Sequence, residues 1–124
     1  MPQRDDSVRE SVVERYLVRQ VRLLRVAYGQ KAVIKKIGGP GWRGWPDRMV
    51  LFEAAPQLIN PAPACTHWLE VKRPKGGRFE PLQLRNHRVL RDMGFVVRVV
   101  NTHELIDAYI ADLLRFGPHG VPTV

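Results

Sequence analysis

Asp47, Glu70 and Lys72 are each set against apolar neighbours. GWPDRMVLF (44–52) places an aspartate at the mouth of one apolar run, and WLEVKRP (68–74) holds a glutamate and a lysine two apart inside the next. Side chains alternate across a strand, so Glu70 and Lys72 share one face while Leu69 and Val71 take the other. A hairpin-like pairing of the two runs brings Asp47 toward Glu70. Carboxylates that close repel each other unless a cation lies between them, and hard oxygen ligands with room for water suit Mg²⁺ or Mn²⁺. Such an ion polarises a phosphodiester and activates water, while a nearby lysine orients that water and offsets developing negative charge. The expected chemistry is therefore phosphodiester hydrolysis.

Taken singly, these signals are ordinary. An E-x-K triplet is also a common edge-strand ion pair, and an aspartate after proline is a common turn residue. Their conjunction is specific: a Pro-Asp pair, a glycine-rich lead-in at 38–46, the E-x-K one strand later, Gln83 beyond it and a strongly basic chain.

The elements that must position these residues follow from hydrophobic periodicity. Val13, Leu17, Val21, Leu24 and Tyr28 predict an amphipathic helix over 8–28, with Ser7 as N-cap and Gly29 as stop. Strands are expected at 31–37, 48–53, 67–73 and 95–100. The Pro-rich stretch 53–66 reads as a loop. A second helix over 81–93 carries Leu82, Leu90 and Met93 and ends at Gly94; a third, over 102–115, is capped by Thr102. The final GPHGVPTV reads as a loose tail. The order is α-β-β-β-α-β-α, an α/β fold without internal repeats.

The chain has 124 residues, the size of one domain with its core at about 8–115, and 44% of them are hydrophobic. A net charge of +8 and a pI near 10.4 suit a polyanionic partner. No apolar run is long enough to span a membrane and the charged start does not resemble a secretory signal. The single cysteine, Cys65, excludes an internal disulfide. His67, His87, His103 and His119 lack metal-ligand spacing and suit surface or helix-cap roles. The serines have no triad context, and the glycine loop lacks the lysine and hydroxyl residue of a triphosphate-binding loop. Trp42 and Trp45 are candidates for stacking on a base, Trp45 also for packing beneath the glycine loop.

The segments ERYLVRQV, KKIGGPGWRGWPDRMVL, WLEVKRPKGG and PLQLRNHRVLRDMGFVVRVV resemble the PD-(D/E)xK nuclease superfamily. Within it they are similar to the virus-type replication-repair nuclease (VRR-NUC) domain, in its small standalone phage-type form, from about residue 10 to 108. The resemblance implies a restriction-endonuclease-like αβββαβ core with a mixed four-stranded sheet flanked by helices. It implies that Asp47 and Glu70 hold the metal with the Val71 carbonyl, that Lys72 is catalytic, and that Glu14 helps hold the metal site. Gln83 matches the glutamine that supports the site or touches the scissile phosphate. Helical spacing by itself favours Glu10 over Glu14; the resemblance favours Glu14. The proline-rich stretch is longer here than in many relatives, with a role in substrate choice or dimer contacts as the expectation.

Lys36, by resemblance, and Arg43, Arg73, Lys75, Arg78 and Arg85, by their charge around the carboxylates, are the expected nucleic-acid contacts. The resemblance further implies a Mg²⁺- or Mn²⁺-dependent DNA endonuclease, homodimeric and selective for branched DNA such as four-way (Holliday) junctions, phage-encoded and acting in the host bacterial cytoplasm. The alternatives are a nick, flap or general duplex nuclease using the same residues, and a non-catalytic nucleic-acid-binding subunit.

Overall fold

The computed structural model describes residues 6–28, 31–54, 63–72 and 78–123, with side chains left out at 6–9 and 25–28. Its elements are α1 (Asp6–Tyr28), β1 (Ala32–Lys36), β2 (Arg48–Phe52), β3 (Cys65–Glu70), α2 (Pro81–Asp92), β4 (Val96–Val99) and α3 (His103–Phe116). The α/β class and the expected order of elements are thus observed, with three helices flanking one mixed four-stranded sheet.

Strand order is β1-β2-β3-β4. The first two pairings are antiparallel, and β4 runs parallel to β3. A parallel neighbour requires a crossover, which α2 supplies. Period-two alternation divides the sheet into two faces. Val50, Phe52 and Leu69 turn to the main core, where they meet Leu17, Val21 and Leu24 of α1 and Ile106, Tyr109 and Leu113 of α3. Glu70, one residue past Leu69, turns to the other face and meets His87 of α2. The two outer helices are joined by Tyr16, whose hydroxyl bonds to Asp107 and whose ring stacks on His103 at 4.2 Å between centroids. Thr102 caps α3 as expected, accepting from the Leu105 N–H at 3.1 Å.

Several boundaries differ from expectation for physical reasons. β3 begins at Cys65 and stops at Glu70, short of residue 73. The next N–H, that of Val71, donates at 2.7 Å to Asp47 Oδ1, a side chain standing where a strand partner would be. Ser7 lies inside α1 and so does not cap it. Gly29 and the middle of the proline-rich stretch, 55–62, lie outside the described residues. On α2, Leu82 and Met93 are exposed, and the buried residues are Asn86, His87 and Leu90.

The expected loose tail is docked, and with it the core extends past residue 115. Val121 is buried in the main core. Thr123 Oγ1 accepts from the Val97 N–H and donates to the Val97 carbonyl, both at 3.0 Å. Arg98 Nη1 donates to the Pro122 carbonyl at 2.9 Å and to Asp112 at 2.8 Å. β4 ends the sheet, and these contacts occupy polar groups that an edge strand leaves open.

His67 is buried, contrary to the surface role expected for it. Its Nε2 lies 2.7 Å from the Pro118 carbonyl, which can only accept, so Nε2 carries the proton and donates. Nδ1 therefore accepts from the Tyr109 hydroxyl, also at 2.7 Å. Burial lowers the His67 pKa to about 4 and raises that of Tyr109, keeping both neutral. Tyr109→Phe would leave Nδ1 unsatisfied, and we expect urea unfolding to show a loss of about 1–3 kcal/mol.

The unfolded chain protonates His67 near its ordinary 6.5 and the folded chain near 4, so stability contributed by His67 falls as pH drops across that window. The stability difference between wild type and His67→Gln should therefore shrink between neutral pH and pH about 4. A difference independent of pH would contradict a neutral buried imidazole.

Candidate active site

The register of β2 with β3 pairs Arg48 with Leu69. One step further along the same ladder lie Asp47 and Glu70. Opposite residues of an antiparallel pair share a face, so two carboxylates are brought to one end of the sheet. Pro46, buried just before Asp47, restricts the backbone at this point. Asp47 is only 6% exposed and Glu70 only 2%.

The hydrogen bond from Val71 occupies Oδ1 of Asp47. Among the described residues, Asp47 Oδ2 and Glu70 Oε2 have no hydrogen-bond partner although both are buried. His87, 2% exposed, brings Nε2 to 3.4 Å from Glu70 Oε2, too far or too poorly aligned to bond. Burial pushes the Asp47 pKa up to about 6; the Val71 N–H opposes the shift and the Glu70 charge adds to it. Buried without hydrogen bonds at those oxygens, and with the His87 imidazole near Glu70, the two carboxylates carry an electrostatic cost that a cation would reduce.

The carboxylates open into a cleft of about 370 Å³, which Lys72, Gln83, Glu80, Arg43 and both loop tryptophans also line. Lys72 is exposed, just beyond the end of β3. Gln83 Oε1 accepts from the Glu80 N–H at 2.8 Å, and the Glu80 side chain caps the helix in return, so Gln83 also fixes the start of α2.

The glycine loop is seated on the same helix. Gly44 has φ +82°, and a Cβ there would lie 2.6 Å from Leu82 Cγ and 2.9 Å from Asn86 Nδ2. Glycine thus permits both the turn and the close approach. Trp45 is half-buried against Trp42, ring centroids 6.4 Å apart, while Trp42 is 45% exposed at the cleft.

The cleft brings together Asp47, Glu70, Lys72, Gln83 and Arg43. It does not include Glu14. That carboxylate pairs with Arg48 at 3.1 Å and lines a separate groove on α1, because Arg48 alternates with Asp47 and points to the α1 side. Lys36 is exposed at the end of β1, outside the cleft lining, and Arg78 and Arg85 are exposed around α2. Arg73 and Lys75 lie outside the described residues. The backbone N–H of Val71 is the part of that residue seen in the site.

Sequence reasoning missed His87 and Asn86. Gln83, Asn86, His87 and Leu90 fall at i, i+3, i+4 and i+7, the spacing of one helical face. A mostly polar face at this spacing was the available signal.

Among the described residues, no group of three His, Cys, Asp or Glu side chains is arranged to hold a metal ion. Two carboxylates with unpartnered oxygens fit Mg²⁺ or Mn²⁺, which keep several waters, better than a zinc centre with its three or four protein ligands. No protein-family model matches the chain, and no curated protein matches it. Among the described residues no helix is long and apolar enough to cross a membrane.

The raised Asp47 pKa has a direct consequence for stability. The folded carboxyl titrates near 6 and the unfolded one near 3.8, so in the absence of metal the Asp47 contribution to stability is greatest at low pH and declines as pH rises from about 3.8 through 6. Asp47→Asn keeps an oxygen for the Val71 N–H and removes the charge. In EDTA it should raise the melting temperature at neutral pH, by an amount equivalent to at most about 3 kcal/mol. The gain should fade below pH 5, and the stabilisation of wild type by Mn²⁺ should disappear in the variant. A variant less stable than wild type at neutral pH would contradict the unpaired buried charge.

Proposed function

We propose that this chain is a divalent-metal-dependent DNA endonuclease of the PD-(D/E)xK superfamily, of the VRR-NUC type. One observation carries the reading: two buried carboxylates, one just before β2 and one at the end of β3, each with an oxygen that has no hydrogen-bond partner among the described residues, face a cleft that also holds an exposed lysine. The net charge of +8 supports a polyanionic substrate.

Asp47 and Glu70 would hold Mg²⁺ or Mn²⁺, with the Val71 carbonyl as a further ligand. When bound, the ion would supply Lewis acidity and lower the pKa of a water so that a hydroxide nucleophile becomes available at neutral pH. Lys72 orients the water for attack at phosphorus and offsets the negative charge that builds as the strand's oxygen leaves. Asp47 stays fixed throughout because the Val71 N–H holds one of its oxygens. Gln83, anchored at the helix start, supports the scissile phosphate from the other wall. Arg43, Arg78 and Arg85 bind flanking phosphates and set the strand's register without reading its bases. Trp42 offers an aromatic face to an unpaired base.

The resemblance favours branched DNA, four-way junctions first, and a homodimer whose two sites would cut two symmetry-related strands. It also favours a phage-encoded protein acting in the bacterial cytoplasm. The deciding experiment is cleavage of an end-labelled immobile junction and the matching linear duplex in Mg²⁺, Mn²⁺ or EDTA. Wild type should cut in either metal and not in EDTA, and Lys72→Ala should cut at least about 10²-fold more slowly while still binding. Lys72→Ala cutting at the wild-type rate would remove lysine from the mechanism. Equal cutting of junction and duplex would replace branch selectivity with general duplex cleavage.

A further inference from the structure

On the α1 side of the sheet lies a groove of about 600 Å³, lined by Arg15, Arg19, Arg22 and Arg48 together with Glu14, Val18 and Leu23. We propose that it is a second nucleic-acid surface, which grips the phosphate backbone of the DNA that continues beyond the cleft. The inference rests on the nuclease reading and extends it to a part of the molecule that takes no part in the chemistry.

The three helix arginines recur at spacings of four and three, so they share a face of α1. All three are exposed. At 1.5 Å per residue they span about 10 Å, or about three phosphate steps at 3.4 Å per step along one strand. Arg48 sits deeper, held by Glu14 at 3.1 Å, with its Nε buried and without a hydrogen-bond partner among the described residues. Four arginines against one glutamate leave the groove strongly positive. Arginine forms paired hydrogen bonds to phosphate oxygens, and none of the described residues that line the groove is a lysine. Half-buried Val18 and half-exposed Leu23 lie among the charges, where the apolar faces of deoxyribose can rest.

Two observations choose DNA over other occupants. A second copy docked by two-fold symmetry would bring the same arginine-rich patch against itself. The groove and the catalytic cleft also meet the same end of β2 from opposite faces of the sheet: Arg48 lines the groove and its neighbour Asp47 the cleft. A backbone leaving the cleft around the start of β2 would pass to the groove's side of the sheet, a path that an acidic protein has no reason to follow.

The test compares wild type with Arg15→Gln/Arg19→Gln/Arg22→Gln, binding a fluorescent DNA duplex in EDTA between about 50 and 200 mM NaCl. Each phosphate contact contributes about 0.9 to the slope of log affinity against log salt, so the triple variant should lower the slope by about 2–3 and bind more weakly. Its circular dichroism should match wild type. Amide shifts along α1 in wild type on adding the duplex give a second readout that needs no variant.

Unchanged affinity and slope, with no α1 shifts, would overturn the groove while leaving the nuclease reading intact. Absence of DNA binding by wild type would overturn both. Poly-glutamate binding lost in the variant, with DNA binding unchanged, would assign the groove to an acidic protein instead.

Discussion

The hydrogen bond from the Val71 N–H to Asp47 Oδ1 governs the end of the sheet where the candidate chemistry lies. It replaces a ladder bond with a side-chain bond, so β3 ends at Glu70 and Lys72 leaves the strand to reach the cleft. It also fixes the Asp47 carboxylate in a site where burial disfavours its charge. A carboxylate left free to rotate would turn toward water. Tied by one oxygen, it keeps the other, which has no hydrogen-bond partner, in the buried space beside Glu70.

The parity of β2 then divides the molecule by function. Asp47 and Arg48 are neighbours in sequence and face opposite sides of the sheet, so negative charge collects on the α2 side and arginine on the α1 side. On each side a helix residue approaches the charged residue of the sheet. Glu14 on α1 steadies Arg48, while His87 on α2 approaches Glu70 without bonding to it. The contrast is informative because only the α2 side keeps buried acceptor oxygens without partners, as a cation site requires.

Support for this arrangement comes from the far edge of the sheet. His67 in β3 joins α3 through Tyr109 and the C-terminal segment through Pro118, while Thr123 closes onto Val97. These bonds fix β3 and β4 against α3, and β3 in turn presents Glu70. The opposite face is completed by α2, whose buried side is polar around Asn86 and His87 and apolar only at Leu90. That helix packs partly on the site itself, which explains why its leucines at 82 and 84 remain at the surface.

Local sequence determined the succession of elements, because helical and strand periods are written in consecutive residues: the Leu17, Val21 and Leu24 stripe is buried, and Thr102 caps its helix. It also pointed to Asp47, Glu70 and Lys72 as neighbours, and the three do line one cleft, since strand alternation and the pairing of two successive strands bring them to one end of the sheet. Tertiary structure decided which other residues join them. The separation of Glu14 from the cleft, the burial of His67 and His87, and the docking of the tail depend on contacts between residues far apart in sequence. No local period specifies such contacts. Helix α2 forms as its periodicity predicts, but its buried face was not legible for the same reason: whether a face meets hydrocarbon or a polar site depends on what the fold brings against it.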